Sequence, residues 1–355
     1  MDLLIKNNII KQNRVIVDIG TFRTKVLEVK YEARNIYITS ASSFDTSVGG
    51  VISFAEIARR VRSVTSGAGQ KNVVIILPGA YTENKIISLK NIKESDIDKA
   101  IEKEGFAKAS PATHEIDYAY LGKRDEQSDT IRYCLMAAAA KSIDNELVSE
   151  FLTCGLKVIS VVSSIYAQIN LSELFYDEYE HPNRLMVDFG KSSMRIAAIS
   201  DGVAVYSRLI GLGRSSYEDE IFRAQQSAGK PEICEALEKI GCKPLLTAHS
   251  KYFDTLDEML YFDIVKRVNA NILNELSRIV DLCETNGITI TKIFLTGRPI
   301  FGFEQAVKDK MKIECSVIDF RGIMEKEGRD FVVCFEPDID REYANAVGMA
   351  VNPFI

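Results

Sequence analysis

Met186-Val-Asp-Phe-Gly-Lys-Ser-Ser-Met-Arg195, continued by Ile196-Ala-Ala-Ile199, is the stretch whose reading decides the fold. Apolar residues run into Asp188 and Gly190, two hydroxyls follow at Ser192 and Ser193, and an apolar run resumes, which spells strand, tight turn, strand. Gly190 lets backbone approach an anion, the turn amides and both hydroxyls can donate to phosphate oxygens, and Asp188 can hold a hydrated Mg²⁺ beside them. A single Asp-x-Gly at a hairpin is more often only a turn. The chain carries a second one: Arg14-Val-Ile-Val-Asp-Ile-Gly20 runs from strand into a turn bearing Asp18, Gly20, Thr21 and Thr24, and Lys25 opens the next strand. The aspartates are 188 − 18 = 170 residues apart, which implies two facing lobes. One such cradle per lobe can clamp a polyphosphate from both sides, with Asp18 and Asp188 converging on one hydrated metal.

At 355 residues the chain is long enough for two core-sized lobes. Its hydrophobic fraction of 46% and charged fraction of 26% are those of an ordinary globular protein. A net charge of −6 argues against a surface that grips nucleic acid or anionic lipid broadly. Seven cysteines without a Cys-x-x-Cys pair indicate neither a disulfide framework nor a zinc site, and they suit a reducing cytoplasm. His114, His181 and His249 stand far apart with no partner at ligand spacing, so neither a metal centre nor a His-based triad is indicated. No apolar run approaches the roughly 18 residues that span a bilayer. Met1–Asn13 is too short and too polar for a signal peptide and reads as a frayed terminus.

Outward from the two turns, periodicity predicts strands at Lys25–Lys30 and Ile36–Ser40, a helix over Phe54–Val64 and a buried strand at Asn72–Leu77 stopped by Pro78-Gly79. From Tyr81 the pattern changes to strand Asn84–Leu89, helix Glu94–Lys108 capped by Ser95, strands Glu115–Leu121 and Thr130–Ala139, helix Ile143–Cys154 closed by Gly155, and strand Leu156–Val162. That β-α-β-β-α-β order predicts an inserted layer. A helix at Ser164–Phe175 leads to a polar stretch, Asp177–Asn183, that reads as an interlobe linker. After Val203–Ile210 the turn Gly211-Leu-Gly213 opens a helix at Ser216–Gln226, followed by helices at Pro231–Ile240 and Leu256–Glu284. Ile293-Phe-Leu-Thr-Gly-Arg-Pro-Ile-Phe-Gly302 is an apolar strand entering a turn at Gly297 and Arg298, a place where backbone can lie flat against a purine. A helix at Phe303–Met311, a strand at Glu314–Ile318 and a small-residue helix at Tyr343–Val351 complete the chain.

First phosphate loop, second phosphate loop, adenosine loop and closing small-residue helix, in that order, resemble the actin/Hsp70/sugar-kinase superfamily. Within it the sequence looks most like the PilM family of type IV pilus machinery, with the cell-division protein FtsA as nearest relative. Val17-Asp-Ile-Gly20 with Thr24-Lys25 resembles the first loop, Asp188–Ser193 with Gly211-Leu-Gly213 the second, and Cys154-Gly155-Leu156-Lys157-Val158 the end of the family's inserted subdomain. The resemblance implies an α/β, actin-like (ribonuclease H-like) two-lobed fold with an inserted FtsA/PilM-type βαββαβ-like subdomain. It implies a first lobe at 1–80, 163–185 and 337–355, the insert at 81–162, a second lobe at 186–214 and 287–336, and a helical subdomain at 215–286.

Function is implied by the same resemblance: an ATP- and Mg²⁺-binding cytoplasmic scaffold, recruited to the inner face of the cell membrane without inserting into it. Its implied partners are the cytoplasmic N-terminal peptide of a membrane-anchored pilus platform protein, captured beside the inserted layer with Asn84–Leu89 and Leu156–Val162 as bordering strands, and the pilus motor ATPases. Arg298 and Pro299 depart from the family's Gly-Gly-rich adenosine loop, and Arg298 either narrows the purine pocket or stacks on the base. Where fast hydrolases of the superfamily position attacking water, Val162-Ser163-Ser164-Ile165-Tyr166 offers hydroxyls only, with Gln168 further on, so slow or no hydrolysis is expected. A sugar or metabolite kinase on the same fold needs a base aspartate at the insertion edge, and none stands there. An FtsA-like division protein usually ends in an amphipathic membrane helix, whereas this sequence closes on Val351-Asn-Pro-Phe-Ile355.

Overall fold

The computed structural model describes residues 13–48, 51–106, 108–126, 129–175, 182–224, 237, 256–328 and 331–352. Two compact units divide the chain: Met1–Pro182, Ile199–Arg208 and Phe320–Ile355 in one, Asn183–Ala198 and Leu209–Asp319 in the other.

In the first unit β1 (Arg14–Ile19) is buried at all six positions, as a strand covered on both faces must be, and its apolar run Val15-Ile-Val17 makes that possible. β2 (Arg23–Glu32) and β3 (Asn35–Asp45) fold back beside it as an antiparallel meander, and a short ribbon of β4 (Ser47–Val48) and β5 (Val51–Ile52) leads to α1 (Phe54–Val64). Ser53 caps α1 by accepting from the Glu56 amide, and Phe54, Ile57, Ala58 and Val61 recur at helical spacing on its buried face. β6 (Lys71–Leu77) then returns parallel to β1. The inserted layer follows as β7 (Thr82–Lys90), α2 (Ile97–Ile101), β8 (His114–Glu126) and β9 (Asp129–Ala140), in strand order β7-β9-β8. One face of this sheet closes with α2 over Ile87, Leu89, Ile97, Ile101, Cys134 and Met136. α3 (Lys141–Thr153) brings the chain back to β10 (Leu156–Ser163), which pairs parallel with β6, and to α4 (Ser164–Leu171).

The second unit opens with β11 (Asn183–Phe189) and β12 (Met194–Ser200); the end of β12 from Ile199 and β13 (Val203–Ile210) as far as Arg208 are counted with the first unit. α5 (Arg214–Ala224), α6 (Leu256–Thr285), β14 (Lys292–Gly297), α7 (Phe303–Met311) and β15 (Glu314–Val317) follow. β16 (Glu325–Glu327), β17 (Val332–Phe335) and α8 (Ala344–Ala350) return to the first unit.

Five strands take the same places twice. The first sheet reads β10-β6-β1-β2-β3-β17-β16 and the second β13-β12-β11-β14-β15. Counted from the leading strand of each half, both contain the order 3-2-1-4-5, with strands 1, 4 and 5 parallel where the pairings are β1 with β6, β6 with β10, β11 with β14 and β14 with β15. This duplication is what the 170-residue recurrence of Asp-x-Gly reflects. The closing helix α8 lies against α4 so tightly that a Cβ on Gly348 would come within 2.0 Å of the Ala167 carbonyl oxygen. Beneath them Tyr31 donates its hydroxyl to the Ala350 carbonyl at 3.0 Å, and the Arg14 guanidinium lies 5.1 Å from the Tyr31 ring centre.

Several boundaries differ from the sequence expectation, each for a packing reason. The expected insert ran to 162, but Leu147 and Phe151 of α3 belong to the core formed by α1, β1 and β6, and β10 joins the large sheet, so the inserted layer ends at Ala140. The expected second lobe ran to 336, yet β17 pairs with β3 and carries β16 with it. The helix expected over Glu94–Lys108 is a 3₁₀ turn at Glu94–Asp96 followed by the five residues of α2, and Ser95 does not cap it. The linker residues 177–181, the helix expected at Pro231–Ile240 apart from residue 237, His181, His249, Cys234, Cys242 and residues 1–12 lie outside the described residues. Cys134, Cys154, Cys283, Cys315 and Cys334 are free thiols.

Candidate functional site

The first turn is built by register. β1 and β2 pair Asp18 with Lys25 and Ile19 with Thr24, so the chain reverses over Gly20–Arg23, where the Gly20 amide donates to the Arg23 carbonyl at 3.1 Å. A Cβ on Gly20 would sit 2.5 Å from that carbonyl, so only glycine lets the turn close. Asp18 is buried and holds Lys25 by an ion pair of 3.1 Å. Thr24, expected as a hydroxyl for phosphate, is fully buried: its Oγ1 is shared with Thr46 at 2.9 Å, and Thr46 donates to the Gly20 carbonyl at 2.7 Å. It braces the turn from within. Thr21 lies at the exposed tip.

The second turn repeats the first. The Gly190 amide donates to the Ser193 carbonyl at 3.0 Å, and a Cβ on Gly190 would lie 2.6 Å from that oxygen. Asp188 is again buried and again paired with a cation on the next strand, Arg195. An offset of 170 carries Lys25 onto position 25 + 170 = 195, so Arg195, and not Lys191, is the counterpart of Lys25. Arg195 stands in the deciding stretch with no role evident from the turn alone, although the 170-residue offset was the signal that could have found it. Lys191 instead pairs with Glu218 of α5, which also lies 3.4 Å from Arg214. Glu218 thus meets two cations beside the exposed Ser192 and the half-buried Ser193.

α5 begins directly on this turn. The amides of Arg214 and Ser215 donate to the carbonyls of Gly190 and Lys191 at 3.1 and 2.7 Å, and a Cβ on Gly213 would lie within 2.6–2.8 Å of Lys191, Ser193 and Gly190 backbone atoms. Gly211, expected in the site, has nothing within 4 Å of its missing Cβ.

The third turn joins the second through the parallel pairing of β11 with β14, which sets Asp188 beside Thr296 and Phe189 beside Gly297. Thr296, unnoticed in the sequence as a site residue, is fully buried and donates to Asp188 Oδ1 at 3.1 Å, so both carboxylate oxygens of Asp188 are engaged. Gly297 has φ +72°, and a Cβ there would lie 2.5 Å from the Phe189 carbonyl and 2.7 Å from Asp188 Oδ1. Its glycine is thus required by the second turn, whatever lies above it. The Arg298 amide donates to the Phe189 carbonyl at 2.9 Å.

The structure therefore gathers Asp18, Gly20, Thr21, Thr24 and Lys25 at one turn, and Asp188, Gly190, Lys191, Ser192, Ser193, Gly213, Gly297 and Arg298 around another. The second cluster suits a phosphate chain: a glycine turn, an exposed hydroxyl and the Lys191 ammonium beside it. Among the described residues no three His, Cys, Asp or Glu side chains assemble into a metal-ligand group. At the entry to α4, Ser163 and Ser164 are buried with hydroxyls that have no hydrogen-bond partner, and Gln168 is fully buried.

A duplicated 3-2-1-4-5 sheet, each half with an Asp-x-Gly hairpin and one with an inserted sheet, defines an actin-like protein. The family model of type IV pilus assembly protein PilM matches residues 16–354. This chain belongs to the PilM family of type IV pilus assembly proteins. Among solved structures it resembles the PilM–PilN type IV pilus biogenesis complex, with 16% identity over 96% of this chain and 98% of that chain and a TM-score of 0.73. It also shares its fold with the ethanolamine utilization protein EutJ of Carboxydothermus hydrogenoformans (12% identity, 96% and 89% covered, TM-score 0.50) and with ADP-bound MreB5 of Spiroplasma citri (11% identity, 96% and 95% covered, TM-score 0.50). No curated protein matches the chain. Among the described residues no helix is long and apolar enough to cross a membrane.

Proposed function

We propose that this PilM-family protein binds ATP with Mg²⁺ on its glycine turns and serves as a cytoplasmic scaffold that holds the N-terminal cytoplasmic segment of a membrane-anchored, PilN-like platform protein. The observation that carries the nucleotide part is the repeated hairpin, in which a buried aspartate and a cation seven residues later brace a glycine turn in each half. Lys191, Ser192, Ser193 and the turn amides would hold phosphate oxygens, and Arg298 would lie beside the base. Bound Mg²⁺ would supply charge neutralisation along the phosphates. Hydrolysis is slow or absent in this reading, since the α4 entry presents two buried serines and Gln168 is sealed from solvent.

The partner reading rests on family membership and on sheet edges. β10 ends the seven-stranded sheet, and β7 ends the inserted one. The opposite edge of the large sheet, β16, is three residues long and reads Glu-Lys-Glu, which discourages pairing. β10 has eight residues, mostly apolar, with Ile159 exposed, and so suits an added extended segment. Such capture recruits the protein to the inner face of the membrane, where it would meet the motor ATPases.

Isothermal titration with Mg-ATP and, separately, with the synthetic cytoplasmic N-terminal peptide of the organism's own PilN-like protein tests both halves. Micromolar binding of each, with phosphate release far below one per second, is expected. Failure of both ligands to bind would remove the proposal, and rapid turnover would remove its scaffold part.

A further inference from the structure

The β12–β13 tip touches the inserted sheet at a place that is specially shaped for it. β8 carries a register shift between Tyr120 and Gly122, and Gly122 has φ +129°, a backbone state that side chains rarely adopt. Its missing Cβ makes room for Val203: a Cβ there would meet Val203 Cγ2 at 2.9 Å. Two residues along the same face, Arg124 reaches Asp201 at 3.5 Å. Gly122 stands opposite Tyr133 on β9. By strand alternation this is the face opposite Cys134 and Met136, whose side is already filled by α2. The inserted sheet thus has a core of its own on one side and the hairpin tip on the other.

The same hairpin carries the second turn at its other end. β12 begins one residue after Ser193, holds Arg195 on Asp188, and reaches the tip at Ser200 about 20 Å further on at the usual strand rise. Lys191 rests on Glu218, and a phosphate on the turn would compete for that ammonium.

We propose that the β12–β13 tip couples the two ligands, so that polyphosphate on the Gly190–Ser193 turn changes the affinity for the peptide partner held beside the inserted layer, through β12 and the contact of Val203 and Asp201 with β8. The proposal rests on the nucleotide and peptide reading above. It assigns a role to residues outside both binding sites, and thermodynamic reciprocity requires the peptide to change nucleotide affinity by the same factor.

The test measures the dissociation constant of the synthetic PilN-like peptide for the full chain with and without a non-hydrolysable ATP analogue and Mg²⁺. In the native protein the analogue is expected to shift that constant about fivefold or more. In Asp201→Arg and in Val203→Ser the shift should fall to near unity, while each ligand alone binds as before. Restoring the ion pair in reverse, with Arg124→Asp added to Asp201→Arg, should recover much of the shift. An unchanged shift in both single variants overturns the proposal, as does a native protein that binds both ligands with no mutual effect, and in either case the binding reading stands. A native protein that binds neither ligand removes that reading and the coupling with it.

Discussion

Arg195 crosses the second hairpin to Asp188, seven residues back, just as Lys25 crosses the first to Asp18. Asp188 and Arg195 are both largely withdrawn from solvent, with 5% and 15% of their side chains exposed. Removing Arg195 takes the ion pair from a buried carboxylate that keeps the Thr296 hydroxyl. Arg195→Ala is expected to destabilise the protein by about 3 kcal/mol, the low end for breaking a buried ion pair, and Arg195→Lys by much less. Urea unfolding of the variants checks this, and equal midpoints for Ala and native protein would refute the pairing.

Much of the site was legible because turn chemistry is local. Asp-x-Gly after an apolar strand announces a hairpin, and its recurrence announces a duplication; both turns form where expected. What stayed hidden depends on pairing across strands. The role of Arg195 follows from register, Thr296 enters because β14 lies beside β11, and Thr24 turns inward because Thr46 meets it from β3's far end. The boundary of the inserted layer was missed for a similar reason: α3 and β10 read as helix and strand in sequence, but only packing reveals that their apolar faces serve the large sheet.

On the proposed phosphate site, Glu218 would compete with phosphate for Lys191. Glu218→Gln keeps the side-chain shape, leaves Lys191 and Arg214 with less opposing charge, and is expected to tighten Mg-ATP binding up to about tenfold, a gain near 1.4 kcal/mol. Lys191→Ala should weaken binding by a similar or larger factor. Calorimetric titration at fixed ionic strength reads both, and weaker binding in Glu218→Gln would mean that the carboxylate serves the ligand directly.

Gly348 faces the Ala167 carbonyl with no room for a methyl group, and neither α4 nor α8 can retreat without opening the buried row of Ala344, Ala346, Val347 and Met349. Gly348→Ala is therefore expected to cost about 1–3 kcal/mol despite its better helix propensity. Thermal unfolding decides the sign, since propensity alone predicts stabilisation.

Tyr31 links this helix pair to alkaline stability. Burial pushes its phenol up to about 12, from an ordinary value near 10, and its hydroxyl donates to the Ala350 carbonyl. The folded state therefore holds the proton more tightly than the unfolded chain does. The resulting stability is fully present below pH 10 and is lost as pH rises from 10 through 12, because an unfolded tyrosine ionises first. Two pH units correspond to an upper bound of about 3 kcal/mol. Other raised groups, Tyr118 and Cys315 among them, contribute to the same alkaline slope, so the diagnostic is a difference between proteins. Tyr31→Phe removes the phenol while keeping the ring under Arg14. It should be somewhat less stable than the native protein at pH 8, through loss of the hydrogen bond, and should lose stability less steeply between pH 10 and 12. Urea midpoints measured across that interval check the slope, and parallel curves for the two proteins would show that Tyr31 does not remain protonated in the fold.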